Sequence, residues 1–452
     1  MPELHFKRAL LPDGWARNVR LSIAGGWISS VQTGVAATNA DECHAIGVPG
    51  LSNLHSHGFQ RGMAGLTERR GASSDSFWTW RDLMYRFVAR MTPEDIESIT
   101  AQAYVDMLEA GFTRVGEFHY IHHDAAGAPY ADLAELAGRV VAAAQASGIG
   151  LTLLPVFYAH AGFGGRAPDD GQRRFVNDVD RFARLMDASR RMVAGCESGL
   201  VGIAPHSLRA VTPEQLAAIL PLAEGGPIHI HVAEQTKEVE DCLAWSGQRP
   251  VHWLLDHAAV DRRWCLIHAT HMTDDETRAM AATGAVAGLC PVTEANLGDG
   301  TFNAPVFRGA GGQFGVGTDS NVLIGVEDEL RQLEYSQRLT LRARNVMTSA
   351  RSPSTGRALF EAALAGGAQA LGVAGGLAAG LAADIVSLDA DSVALAGRSD
   401  DALLDGWIFA SARSPVDCVW TLGRRVVTNG RHHHGESVAA GFRRTLQGLL
   451  AG

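Results

Sequence analysis

Two histidines two positions apart, His55 and His57, follow an apolar run in "LSNLHSHGFQRG". Residues i and i+2 of a strand point to the same side, so the pair presents two imidazoles to one point. "HIH" at 229–231 repeats the arrangement, with Glu234 three residues beyond His231. His231 lies nearer the end of its run and reads as a ligand, whereas His229 falls a layer deeper and reads as structural. Asp319 ends a further apolar run in "GVGTDS". Three neutral imidazoles and a carboxylate (His55, His57, His231 and Asp319) suit one Zn²⁺ with a position left open for water. Fe²⁺ and Mn²⁺ accept similar ligands. Such a metal lowers the pKa of water to near 7 and makes a hydroxide nucleophile at neutral pH, with Asp319 placed to accept the proton.

These residues need elements that bring distant segments to one place. Eight apolar runs alternate with helical patterns: "PGLSNLHSH", "FTRVGEFHY", "GLTLLPVFYAH", "GLVGIAPHS", "PIHIHVAE", "CLIHAT", "AVAGLCPVT" and "FGVGTDS". Thr92 and Thr212 each precede a Pro-Glu pair, and Thr273 pairs with Glu276, which are helix starts. Gly111 and Gly284 are placed as helix stops. Eight such βα units are the size of a (β/α)8, or TIM-like, barrel, whose active sites lie at the C-terminal ends of its strands. All the runs but the seventh end in polar, chemically capable residues: His55/His57, His119/Tyr120, His160, His206, His231/Glu234, His268 and Asp319.

Both ends of the chain read differently. "HFKRALL" and "NVRLSIAGGWISSVQTG" at the start, and "DIVSLD" and "CVWTLGRRVVTNGR" at the end, are short strands punctuated by glycine. The expectation is an α/β chain with a small β-sandwich domain from residues 1–47 plus 380–452 and a barrel over 48–379. Net charge is −10 over 452 residues, which leaves no basic face for nucleic acid. The uncharged Ala/Gly-rich stretch between Glu361 and Asp384 is too broken by glycine for a membrane span and reads as a helix and a turn. The N-terminus lacks the apolar core of a signal peptide, and six scattered cysteines read as reduced thiols, so a cytoplasmic location is expected. "HHH" at 432–434 reads as a surface loop.

HxH on the first run, "HVAE" on the fifth, His268 on the sixth and "GTDS" on the eighth together resemble the amidohydrolase superfamily in its deaminase branch. The fourth run, "VGIAPHS", has no Lys where binuclear members carry a bridging one, which favours one metal per chain. "GLAAGLAADIVSLD" resembles the return of such chains into their small β domain. Within the branch, "NLHSHGFQRGMAGL", "FWTWRDLMY", "GEFHY", "PHSLRAV" and "HVAEQ" are similar to the formimidoylglutamate deiminase family, with Gly58 and Gly62 standing where Ala is expected. The resemblance implies hydrolysis of N-formimino-L-glutamate to N-formyl-L-glutamate and ammonia in histidine degradation, by a homodimer. It implies that Glu234 transfers the proton to departing ammonia and that His268 orients the nucleophile, with Asp319 the third catalytic group. A small dicarboxylate needs cations, met by Arg81 and Arg209, and planar guanidinium binds carboxylate in a bidentate way. Gln60, Tyr120 and His206 would add hydrogen bonds, while Arg61 reads as structural. Two rival readings are a deaminase of the same branch acting on a purine, adenosine-type or triazine substrate, and a non-catalytic barrel scaffold.

Overall fold

The computed structural model describes residues 3–68, 77–348 and 352–451. The opening strand patterns form β1 (Leu4–Leu11), β2 (Gly14–Ala24), β3 (Trp27–Gln32) and β4 (Glu42–Pro49). The eight apolar runs form β5 (Leu51–Ser56), β6 (Phe112–His119), β7 (Gly150–Phe157), the short pair β8 (Leu200–Val201) and β9 (Ala204–Pro205), β10 (Ile228–Val232), β11 (Trp264–His268), β12 (Val286–Leu289) and β13 (Gln313–Val316). The chain then returns through β14 (Ile385–Leu388), β15 (Val416–Thr421), β16 (Arg424–Thr428) and β17 (Arg431–His432).

β5 to β8 form one parallel sheet, with β9 paired to β7, and β10 to β13 form another. Single parallel bridges join the two sheets along two seams. Ser56 pairs with Asp319 at one, and Ile203 with Ile228 and Ser207 with His231 at the other, so the ring of eight positions closes. Every residue of β6, β7 and β10 is buried, as strands covered by helices on one side and by the barrel interior on the other must be. Leu54 fills the barrel centre. Gly288 and Gly315 face it, and a Cβ on either would lie 3.0 or 2.5 Å from its methyl groups.

The outer helices begin where the cap residues stand. Thr92, Thr212 and Thr273 each accept a backbone N–H three residues on, and the side chain there returns a bond to the cap N–H. Each such cap contributes about 1 kcal/mol. The Ala/Gly-rich stretch is the end of helix Thr355–Ala370 and the turn after it. Its glycines allow close approach to the barrel, since a Cβ on Gly366 would lie 1.9 Å from the Phe314 carbonyl oxygen. Among the described residues, no helix is long and apolar enough to cross a membrane.

The terminal strands form a single sheet in the order β17-β16-β15-β14-β4-β1-β2-β3. Its far edge turns back: Ile28 N–H donates to Leu381 O at 2.9 Å and Ala383 N–H to Gly26 O at 2.9 Å. The sheet thus rolls over its own core of Leu4, Phe6, Val19, Leu21, Ile385 and Trp420. The "HHH" triplet splits: His432 is buried in β17 and bonds the Ser147 carbonyl, while His433 and His434 are exposed.

Candidate active site

The seam between β5 and β13 brings the first and last barrel positions together. His57 N–H donates to Asp319 O at 2.9 Å and Asp319 N–H to His55 O at 3.0 Å, so the Asp319 carboxylate is held beside both imidazoles. Asn321 locks this junction. Its side-chain amide donates at 3.1 Å to the His57 and Asp319 carbonyls and to Ser56 Oγ. At the other seam, His231 N–H donates to His206 O at 3.0 Å. The four side chains His55, His57, His231 and Asp319 are buried, and their ligand atoms lie within 4.8 Å of one another.

The spacing fits a tetrahedral metal. His55 Nε2 is 3.1 Å from His231 Nε2 and 3.5 Å from Asp319 Oδ1, and His57 Nε2 is 3.3 Å from the same oxygen. Donors about 2.0–2.1 Å from one tetrahedral centre stand about 3.3–3.4 Å apart. Hydrogen bonding sets two of the tautomers. His57 Nδ1 lies 3.0 Å from Phe118 O and His231 Nδ1 3.1 Å from His206 O. A carbonyl only accepts, so both rings carry the proton on Nδ1 and aim a bare Nε2 at the centre. Burial lowers the pKa of all three imidazoles, that of His55 to about 3, which leaves them neutral, as ligands must be. Burial would raise the Asp319 pKa, but the hydrogen bond from His55 and the positive charge of His268 win and hold it below the usual carboxylate range.

His268 stands over this cluster from the end of β11. Its Nε2 is 3.8 Å from both Glu234 Oε1 and Asp319 Oδ2, and its Nδ1 is 3.2 Å from Glu294 Oε1. Burial works against its charge, yet Glu234, Glu294 and Asp319 raise its pKa to about 10. Burial raises Glu234 to about 7, against the pull of His268 and Arg209. The backbone here is strained: Ala233, His268, Ala269, Asp319 and Asn321 all have φ between 46° and 66°. Non-glycine residues in this region cost about 1–3 kcal/mol each and persist where surrounding contacts hold them.

A cavity opens above the cluster. His57, His231, Glu234, His268 and Asp319 form its floor; Gln60, Arg81, Tyr120, His206 and Arg209 line it further out, with Phe77, Trp80, Tyr85, Tyr158 and Phe175. Gln60 Nε2 donates to Tyr120 Oη at 2.9 Å, and its buried Oε1 has no hydrogen-bond partner among the described residues. The Nε atoms of Arg81 and Arg209 are likewise buried without one. Among the described residues neither arginine has an ion pair, so both guanidiniums are available to an anion. The structure therefore brings the sequence-derived site residues to the lining of one cavity, except His55, which is fully buried and belongs to the ligand cluster without lining the cavity.

Some readings change. The strand-end residues His119 and His160 do not line the cavity: His160 bonds Gln215. Their places are taken by Tyr120 and Tyr158, which were one and two residues away. The aromatic-rich segment after the first barrel strand, which carries Arg81, is from Phe77 to Val88 a helix that buries Phe77, Met84 and Val88; residues 69–76 lie outside the described residues. Glu294 was missed because it sits one turn into helix Pro291–Leu297, past a seventh run with no polar ending. Glu117, quoted only as part of "GEFHY", was missed too: it accepts from Gly58 N–H at 2.6 Å and from Tyr104 Oη at 3.1 Å, holding the turn after His57. The two unexpected glycines belong to that turn. A Cβ on Gly58 would lie 2.7 Å from Thr100, and one on Gly62 3.0 Å from Ile99. His229 bonds Ala370 O, and Arg61 ties Asn321 O to Asp106; both are structural.

The amidohydrolase family model matches residues 46–426, and the model for the N-terminal domain of formimidoylglutamate deiminase HutF matches residues 1–45. The chain is 52% identical over 453 residues to a formimidoylglutamate deiminase from Pseudomonas aeruginosa, covering 100% of both. It superposes on the crystal structure of an amidohydrolase from Brucella melitensis with a TM-score of 0.97 and 59% identity, covering 100% of both chains. The fold extends to an adenosine deaminase from Xanthomonas campestris solved with bound zinc, with a TM-score of 0.82 at 21% identity over 100% of this chain and 98% of that one. The chain belongs to the amidohydrolase family and, within it, to the formimidoylglutamate deiminase group.

Proposed function

We propose that the chain hydrolyses N-formimino-L-glutamate to N-formyl-L-glutamate and ammonia, as a step of histidine degradation, with one Zn²⁺ held by His55, His57, His231 and Asp319. The observation that carries this is a single cavity with the His₃Asp cluster at its floor and, on its wall, two guanidiniums that have no ion-pair partner among the described residues. The full-length likeness to the Pseudomonas deiminase supports it. Zinc, when bound, brings the pKa of a water to about 7 at a position open to substrate.

The residues divide the remaining work. Arg81 and Arg209 bind the two carboxylates, and Gln60, Tyr120 and His206 hydrogen-bond the substrate between them. Asp319 takes the proton that the attacking water loses. His268, gripped by Glu294, orients that water and stabilises charge developing beside it. Glu234, with its pKa raised to about 7 by burial, hands a proton to the nitrogen that leaves as ammonia. Such proton transfer typically contributes about 10²–10⁴ in rate. In this reading residues 48–379 are the catalytic barrel and residues 1–47 with 380–452 a small domain. The enzyme works in the cytoplasm as a homodimer.

Ammonia release from N-formimino-L-glutamate, guanine and S-adenosylhomocysteine, using zinc-loaded and chelator-stripped protein, tests the proposal. Fast, metal-dependent release from the first alone is expected. Release from a purine compound, with none from the glutamate compound, would overturn it.

A further inference from the structure

Two cations share one aromatic ring behind the cavity wall. The Arg81 guanidinium carbon lies 4.7 Å from the centre of the Trp78 ring, and that of Arg209 lies 5.7 Å from it. Tyr85 holds Arg81 again at 5.4 Å. The arginines come from different elements: Arg81 from helix Phe77–Val88, Arg209 from the segment between β9 and the helix that starts at Pro213. Both line the cavity, but Trp78 does not. Like charges brought together repel, and among the described residues no carboxylate pairs with either. The negative face of an indole attracts a guanidinium without removing its charge or occupying its donors. Trp78 is thus where the helix over the cavity and the barrel loop meet, and its ring sets how far apart the two guanidiniums stand.

We propose that Trp78 is a positioning residue that fixes the separation of Arg81 and Arg209, and so selects the formimino amino acid whose two carboxylates have the spacing found in glutamate. This rests on the function proposed above. A substrate one methylene shorter cannot engage both guanidiniums while its formimino carbon sits over the His₃Asp cluster. A substrate with one carboxylate uses only one of them and gains nothing from their spacing.

The test compares wild-type, Trp78→Leu and Trp78→Phe zinc-loaded protein on N-formimino-L-glutamate, N-formimino-L-aspartate and the monoanion N-formimino-4-aminobutyrate. In Trp78→Leu, KM for the glutamate compound should rise about tenfold with kcat within about threefold, from loss of the cation–π contacts. The glutamate-to-aspartate ratio of kcat/KM should fall about as much, while kcat/KM for the monoanion should change less than about threefold. Trp78→Phe keeps an aromatic face and should restore most of the ratio. An unchanged ratio in Trp78→Leu, or an equal loss on all three substrates, would overturn the inference. Were Trp78→Leu not to fold, a Trp78→Phe protein with native melting and a ratio as low as about one-tenth of wild type would overturn it. Wild-type protein inactive on N-formimino-L-glutamate would instead sink the functional reading itself.

Discussion

Asp319 does three things at once: it faces His55 and His57, it borders His268, and its backbone closes a barrel seam. Asp319→Asn keeps the shape and removes the charge, so kcat/KM for N-formimino-L-glutamate should drop by about 10²–10⁴ or more. Full turnover by that variant would refute the proton route. Arg209→Met should act differently. It removes a charged hydrogen-bonding partner of the dianion, so KM should rise about ten- to a hundredfold, with zinc content by mass spectrometry unaltered. A normal KM would remove Arg209 from the binding site. Most of these residues were legible because strand alternation and the eight-run pattern say which side chains share a rim. His119 and His160 misled because alternation fails where a strand stops: β6 ends at His119 and β7 at Phe157, so the residue that turns inward is set by the loop.

Between elements, the junctions do as much as the strands. Glu117 on β6 ties the turn after His57 to Tyr104 of helix Pro93–Glu109. Burial raises its pKa from 4.5 to about 7, despite the bonds from Gly58, Ser56 and Tyr104. Between those values the folded protein holds a proton that the unfolded chain has released, so this group's contribution to stability falls as pH rises through the window. Wild type should therefore lose more stability than Glu117→Gln between pH 4.5 and 7. The difference should be at most on the order of 3 kcal/mol, read from urea midpoints. Parallel pH profiles for the two proteins would contradict it. None of this was visible in the sequence, because "GEFHY" does not say which face of its strand a glutamate takes or what lies across from it. Glu294 was hidden for a similar reason: a side chain that reaches back from a helix onto the previous strand's neighbour obeys no short-range period.

For the whole molecule, the metal ligands sit on the two joints of the barrel. His57 and Asp319 flank the β5–β13 seam, and His231 flanks the seam with the fourth position, where single bridges replace ladders. Chelator stripping should lower the Tm by about 5 °C or more, restored by added zinc, since a ligand bound only to the folded state stabilises it by mass action. Equal Tm values with and without metal would show that the seams hold unaided. The architecture was readable at this scale from alternating runs and helices, whereas the rolled single sheet was not, since pairing across its ends depends on contacts hundreds of residues apart. That sheet carries a further cost in time. β4 has β14 as its antiparallel neighbour, with Pro49 opposite Ile385, so the whole barrel is inserted between two paired strands. As the chain is synthesised, β4 emerges with one edge bare and waits roughly 20–70 s, at about 5–20 residues per second, for its neighbour. For that interval an unpaired strand edge faces the crowded surroundings of the ribosome, and only completion of the barrel delivers the strand that covers it.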